Sequence, residues 1–332
     1  MNAIETHELT KQFKNVIAVN GLTMTVGQGE LFALVGPDGA GKTTTIRMLC
    51  GILSPVSGTA SVLGCDTVRD KTELVKKIGY LSQRFTLYGD LTVDENIEFF
   101  ARIHRVDDFI ARREELLDFT RLKDARKRQA EKLSGGMKQK LALACTLIHS
   151  PEVIFLDEPT TGVDPVARRD FWKILSNLLS QKITIFMTTP YMDEAERCTR
   201  VGLMNHGQLM DIDTPMNIKA KMYSEVFEIV CEPVRAAYQL LKDRPGVQEV
   251  QMYGDRLNVI HPPDVNFIQP AVEYLKSKGI EITSWRAIPP KLENVFISLM
   301  NEAIKKDKES DTLVNKPLDK APTGHNAKKV SV

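Results

Sequence analysis

The sequence predicts an α/β fold with a mostly parallel sheet over residues 1–222, a small α+β unit over 223–303 and a polar tail over 304–332. Two observations carry the first unit: short apolar β-branched runs alternate with helical patterns, and the runs are continuously apolar. Continuous apolarity marks strands buried on both faces, as in parallel sheets. Leu31–Val35 (LFALV), Val153–Leu156 (VIFL) and Ile183–Met187 are the clearest of these. Helical spacing over Val93–Ile103 and Phe109–Phe119 predicts a helical insertion after the first third. The third observation is the change of pattern near Glu225. A strand (Val226–Val230), a helix (Val234–Leu241), two strands (Val247–Met252 and Arg256–Ile260) around a Tyr253-Gly254-Asp255 turn, a helix (Ile268–Lys278) and a strand (Glu281–Arg286) follow in turn. This β-α-β-β-α-β order fits a ferredoxin-like unit. A last helix over Lys291–Ala303 is expected to pack back on the body. The tail from Lys305 is Lys-rich, Pro-broken and expected to be disordered.

Composition narrows the function classes. The 332 residues suffice for about two domains. Lys+Arg 44 against Asp+Glu 43 leaves a net charge of +1, so no overall basicity points to nucleic acid. The basic run Arg121–Lys132 (RLKDARKRQAEK) reads as a solvated helix face. Cys50, Cys65, Cys145, Cys198 and Cys231 form no CxxC pair and no metal-ligand spacing with histidine. They read as buried thiols in a reducing compartment. No apolar run approaches the ~20 residues of a membrane span. The expectation is a cytoplasmic protein that meets membranes through a partner.

Gly36 to Thr43 reads GPDGAGKT and satisfies G-x-x-x-x-G-K-[ST] in full. A buried strand precedes it and a helical pattern, Thr44–Leu53, follows. The glycines permit a wrapped backbone whose N–H groups point inward, and the helix start adds its positive end. Lys42 is placed to reach the β- and γ-phosphates of a nucleoside triphosphate, and the Thr43 hydroxyl to hold Mg²⁺. After VIFL stand Asp157 and Glu158. An aspartate at that strand end can hold Mg²⁺, and the glutamate can orient or deprotonate an attacking water.

Between these halves lies Leu133–Gln139, LSGGMKQ, ahead of a helical run over Lys140–Leu147. Ser134, Gly135 and Gly136 at a helix start offer a hydroxyl and backbone N–H groups to an anion. The segment resembles the signature of ABC ATPases, and the chain is identified as similar to P-loop NTPases of the ABC ATPase type with a helical insertion. The resemblance covers about residues 5–215. It implies ATP and Mg²⁺ as cofactors, with Gly36, Pro37, Asp38, Gly39, Ala40, Gly41, Lys42, Thr43 and Thr44 around the phosphates. It further implies that Phe13 stacks on adenine, that Gln83 touches Mg²⁺ and serves catalysis with Glu158, and that Asp164 crosses between subunits. Ser134–Gly136 would cap the nucleotide of an opposite subunit. The stretch Pro290–Met300 (PKLENVFISLM) resembles, more loosely, the C-terminal extension of daunorubicin-resistance-type exporter ATPases.

Two positions depart from the family pattern. Pro190 in Thr188-Thr189-Pro190-Tyr191-Met192 stands where the family carries a phosphate-sensing histidine, and His206 lies past the next strand. Proline offers neither a side-chain donor nor a backbone N–H. Asp38 stands where many relatives carry asparagine, and adds negative charge near the phosphates. The expected protein is therefore an ATP-binding and ATP-hydrolysing transporter subunit, with export the favoured direction and its own site slow. Its partners would be a second, complete ABC ATPase domain and transmembrane permease subunits, which hold it at the inner face of the membrane. The competing reading is a hydrolysis-deficient ATP-dependent clamp that completes a partner's active site.

Overall fold

The computed structural model describes residues 1–83, 87–263 and 266–302. The predicted tail, 304–332, lies outside them, as does Ala303 at the end of the predicted last helix. The apolar pentapeptide Leu31–Val35 forms β3, with every residue buried. It sits inside a six-stranded sheet with β6 (Ile78–Leu81), β7 (Val153–Asp157), β8 (Thr184–Thr189), β9 (Arg200–Asn205) and β10 (Gln208–Asp213), in the order β10-β9-β3-β8-β7-β6. All neighbours are parallel except β10, which folds back on β9 through the Asn205-His206-Gly207 turn. The continuous apolarity follows from this position. Leu31, Ala33 and Val35 enter one core and Phe32 and Leu34 the other; Ile154 and Leu156 part from Val153 and Phe155 in the same way.

A second, antiparallel sheet is built by β1 (Asn2–Phe13), β2 (Val16–Gly27), β4 (Ser57–Val62) and the two-residue β5 (Cys65–Asp66), in the order β2-β1-β4-β5. With α1 (Lys42–Leu49) it encloses one core. The other core is covered by α3 (Val93–Ile103), α4 (Phe109–Thr120), α5 (Gly135–Leu147) and α6 (Pro165–Ser180). A capping box closes the start of α3: Thr92 accepts from the Glu95 N–H at 3.2 Å, and Glu95 accepts from the Thr92 N–H at 2.7 Å. Short helices α2 (Lys71–Lys77), α7 (Met192–Ala195) and α8 (Pro215–Ala220) complete this part.

The segment Arg121–Lys132 is not a helix face. Arg121 ends α4 in a left-handed conformation, and only two single 3₁₀ turns follow, at Lys123–Ala125 and Ala130–Lys132. Arg126 is drawn out of the charge run by Glu114 (2.7 Å) and Asp94 (2.8 Å), which favours a folded-back path over a continuous helix.

Beyond residue 224, β11 (Glu225–Glu232), α9 (Val234–Leu241), β12 (Glu249–Tyr253), β13 (Arg256–His261), α10 (Ile268–Ser277) and β14 (Glu281–Ile288) follow in the expected succession. The four strands pair antiparallel in the order β12-β13-β11-β14, with α9 and α10 on one face. Residues 292–302 are helical. Leu292, Val295 and Phe296 enter the core under the large sheet, while Asn294 bonds to Gln251 on β12 (2.8 Å). This helix joins the small sheet to the body.

Candidate functional site

The loop from β3 to α1 wraps because two of its glycines adopt conformations that L side chains resist: Gly39 has φ 80° and Gly41 φ 106°. Space adds a second demand. A Cβ on Gly36 would lie 2.0 Å from the Met204 carbonyl oxygen, and one on Gly41 would lie 2.3 Å from that of Ala18. The helix begins at Lys42, two residues earlier than the pattern predicts, and ends at Leu49. Lys42 is buried, with Nζ donating to the carbonyls of Gly36 (2.8 Å) and Pro37 (3.0 Å) and standing 3.3 Å from Glu158 Oε1.

Opposite the loop, Asp157 is the last residue of β7 rather than the first beyond it, and it is fully buried. Its Oδ1 accepts from Thr43 Oγ1 (3.0 Å) and Thr188 Oγ1 (2.7 Å). Its Oδ2 is buried and has no hydrogen-bond partner among the described residues. A buried carboxylate oxygen without a donor, next to a threonine hydroxyl, is a donor set suited to a hard cation such as Mg²⁺. Thr43 and Asp157 would hold that ion, and its charge would neutralise phosphate oxygens. The Asp157 charge also reaches behind the loop. Burial foremost, with Asp157 second, pushes the Tyr80 phenol up to about 12 and raises the Cys50 thiol.

Glu158 has a left-handed backbone (φ 49°) and a buried side chain. Its N–H meets Thr188 Oγ1 at 3.1 Å, and its Oε2 accepts from Gln83 Nε2 at 3.0 Å. Lys42, Thr43, Thr44, Gln83, Glu158 and Pro190 line a single cleft of about 790 Å³. Asp38, Gly39, Ala40 and Gly41 shape its floor, and Phe13, 46% exposed, stands at its edge with the Lys11 ammonium 5.3 Å from the ring centroid. Ala18, Thr161 and Tyr191 also line the cleft and were not singled out from the sequence. Thr188 was missed as well, although two threonines ending an apolar strand are a readable signal.

Ser134, Gly135, Gly136 and Asp164 are not in that cleft. Ser134 caps α5, accepting from the Met137 N–H at 3.3 Å, and Ser134 and Gly135 are exposed. Asp164 caps α6, accepting from the N–H groups of Val166 and Ala167. The two caps are adjacent: a Cβ on Gly136 would lie 2.4 Å from Ala167 Cβ and 3.9 Å from Asp164 Oδ2. All five cysteines are buried and free. No helix among the described residues is long and apolar enough to cross a membrane.

Loop, buried lysine, threonine, strand-end aspartate and glutamate together have the arrangement of a P-loop site. The family profile described as "ABC transporter" matches residues 19–161. The Nod factor export ATP-binding protein I of Rhizobium sp. (strain N33) is 36% identical over 312 residues, spanning 92% of this chain and 99% of that protein. The daunorubicin/doxorubicin resistance ATP-binding protein DrrA of Streptomyces peucetius is 36% identical over 303 residues, 90% of this chain and 92% of that one. The probable multidrug ABC transporter ATP-binding protein YbhF of Escherichia coli (strain K12) is 43% identical over 223 residues, 66% of this chain but 38% of YbhF. Among solved structures, an ATP-binding subunit of an ABC transporter matches with TM-score 0.61 and 26% identity, covering 66% of this chain and 92% of that one. The chain belongs to the ABC transporter ATP-binding proteins.

Proposed function

We propose that this chain binds Mg²⁺ and ATP in the cleft between Gly36–Thr44 and Asp157–Glu158, and that hydrolysis there or in a partner's site drives export through separate transmembrane permease subunits. The observation that carries the reading is the convergence of Lys42, Thr43 and Glu158 on one cleft, with the buried Asp157 bonded to Thr43 behind it. Lys42 neutralises the terminal phosphates, Glu158 accepts a hydrogen bond from the attacking water at a carboxylate oxygen, and Gln83 steadies that carboxylate through Oε2. Phe13 stacks on the base. Export rests on the likeness, over nine-tenths of the chain, to proteins described by Nod factor export and drug resistance. The unit at 1–222 is read as the ATP-binding domain and 223–303 as a ferredoxin-like C-terminal domain, a reading that the β12-β13-β11-β14 order supports. The chain works at the cytoplasmic face of the membrane, held by its permease partners.

A second reading is favoured by Pro190. Because it lines the cleft without a donor, the chain acts in this reading as a hydrolysis-deficient ATP-dependent clamp, and Ser134–Gly136 with Asp164 complete the site of a second, intact ATPase domain. Phosphate release by the purified full chain, with and without Glu158→Gln, tests the pair of readings. Full family-like turnover that Glu158→Gln abolishes supports an active own site. Binding of ATP without turnover supports the clamp.

A further inference from the structure

We infer that Arg168 and Glu194 are positioning residues that set the Pro190–Tyr191 wall of the cleft and make it discriminate a nucleoside triphosphate from a diphosphate; this rests on the ATP-binding reading above. Glu194, on α7, is fully buried, yet it is surrounded by polar groups from three segments. Its Oε1 accepts from Thr160 Oγ1 (2.5 Å), two residues past Glu158, and lies 2.9 Å from Arg168 Nη2. Its Oε2 accepts from Thr189 Oγ1 (2.8 Å), the last residue of β8. Thr189 Oγ1 in turn accepts from the Tyr191 N–H (3.0 Å), so both neighbours of Pro190 are tied to the same carboxylate. The Arg168 guanidinium carbon lies 4.9 Å from the Tyr191 ring centroid, and Nη2 reaches Asp193 Oδ2 at 3.1 Å.

A buried carboxylate is a costly way to fill space, and apolar residues of similar volume stabilise at least as well. What a fully partnered buried network supplies is fixed geometry. Here the fixed object is the Pro190–Tyr191 wall of the cleft that Lys42 and Glu158 also line, and Thr188, two residues before Pro190, bonds the Glu158 N–H. Arg168 is also four residues from Asp164 on α6, and its neighbour Ala167 abuts Gly136. One arginine thus connects the wall to the segment that carries Ser134–Gly136. Pro190 offers no donor and the Tyr191 N–H is already bonded, so the wall acts through shape, packing beside a terminal phosphate that ADP lacks.

The test is equilibrium binding of Mg·ATP and Mg·ADP to the full chain, alongside thermal melting, for Arg168→Ala, Arg168→Lys and Glu194→Gln. Arg168 is part-exposed (26%), so its variants are expected to fold even where the buried Glu194→Gln does not. Arg168→Ala, which removes the ion pair to Glu194 rather than a contact to nucleotide, is expected to weaken ATP binding about tenfold while ADP binding stays within about twofold. Arg168→Lys should fall between, because a lysine keeps the charge and loses the planar face. Equal losses for ATP and ADP, or a lowered melting temperature with unchanged affinities, would overturn the inference and leave the network a structural staple. A parent chain that binds neither nucleotide would instead refute the ATP-binding reading itself.

Discussion

Replacing Pro190 by histidine asks how much the absent donor limits this cleft. Pro190 follows β8 directly and faces the same cleft as Lys42 and Glu158, so a side chain there is within the walls that would surround the phosphates. The turn does not depend on the proline ring alone, because the Tyr191 N–H to Thr189 Oγ1 bond survives the change. A single donor preorganised toward charge that develops in the transition state contributes about 10²–10³ in kcat, or about 2.7–4 kcal/mol. An imidazole grafted beside Tyr191 and Arg168 will not find the best geometry, so a rise of about 10- to 100-fold is expected. The assay is steady-state phosphate release by the full chain under saturating Mg·ATP, with KM measured in parallel. The gain should lie in kcat, with KM little changed, and Glu158→Gln in the same background should remove it. If Pro190→His binds ATP normally and kcat stays within about twofold of the parent, the missing donor is not what limits the site.

Other perturbations separate the remaining parts. Asp157→Asn removes the charge beside Thr43 while keeping the shape; the increase in ATP affinity produced by Mg²⁺ should fall about tenfold or more, with affinity in chelator little altered, as read by titration calorimetry. Gly41→Ala forces a Cβ against the Ala18 carbonyl at φ 106° and should cost about 2–5 kcal/mol of stability, seen as a lowered urea midpoint. Away from the cleft, the His104 and His149 rings stack 3.9 Å apart, and burial, then His149, holds His104 down to about 4 from its ordinary 6.5. The fold therefore favours neutral His104, and the unfolded chain takes up the extra proton as pH falls through 6.5 toward 4. Stability should decline across that window, and His104→Gln should flatten the melting temperature measured between neutral pH and about pH 5.

What could be read in advance follows from how local each cause is. Leu31–Val35 and Val153–Leu156 announce themselves because burial on both faces leaves no polar position in the run. The phosphate loop is legible because its glycines answer a backbone demand within eight residues. The antiparallel sheet of β1 and β2 is harder, since repeated register shifts break the two-residue alternation along both strands. Glu194 is invisible for a different reason: in Met192-Asp193-Glu194-Ala195 it reads as a solvated acid in a first helical turn. Only the tertiary arrival of Thr160, Thr189 and Arg168 gives it three partners in the interior. The run Arg121–Lys132 misled for the converse reason, because Asp94 and Glu114, distant in sequence, claim Arg126.

At Glu158 local backbone and tertiary contacts meet. A non-glycine residue at φ 49° costs about 1–3 kcal/mol relative to a relaxed backbone, and such strain persists only where surrounding contacts over-determine it. Here they do. The N–H is fixed by Thr188, and the carboxylate is fixed by Lys42 on one oxygen and by Gln83 on the other. Thr188 also bonds Asp157, so one hydroxyl at the end of β8 orients both acidic residues at the end of β7. The strand pairing of β7 with β8 is therefore part of the site's geometry, and Asp157 opposite Thr188 in register is the pair that transmits it. Removing the Thr188 hydroxyl would take one bond from each acid at once, leaving Asp157 Oδ1 with the Thr43 hydroxyl (3.0 Å) and the Glu158 N–H with the Thr188 carbonyl (3.2 Å). A site in which a loop, two strand ends and a buried network each hold the next group in place can keep its acids poised even though position 190 supplies no donor.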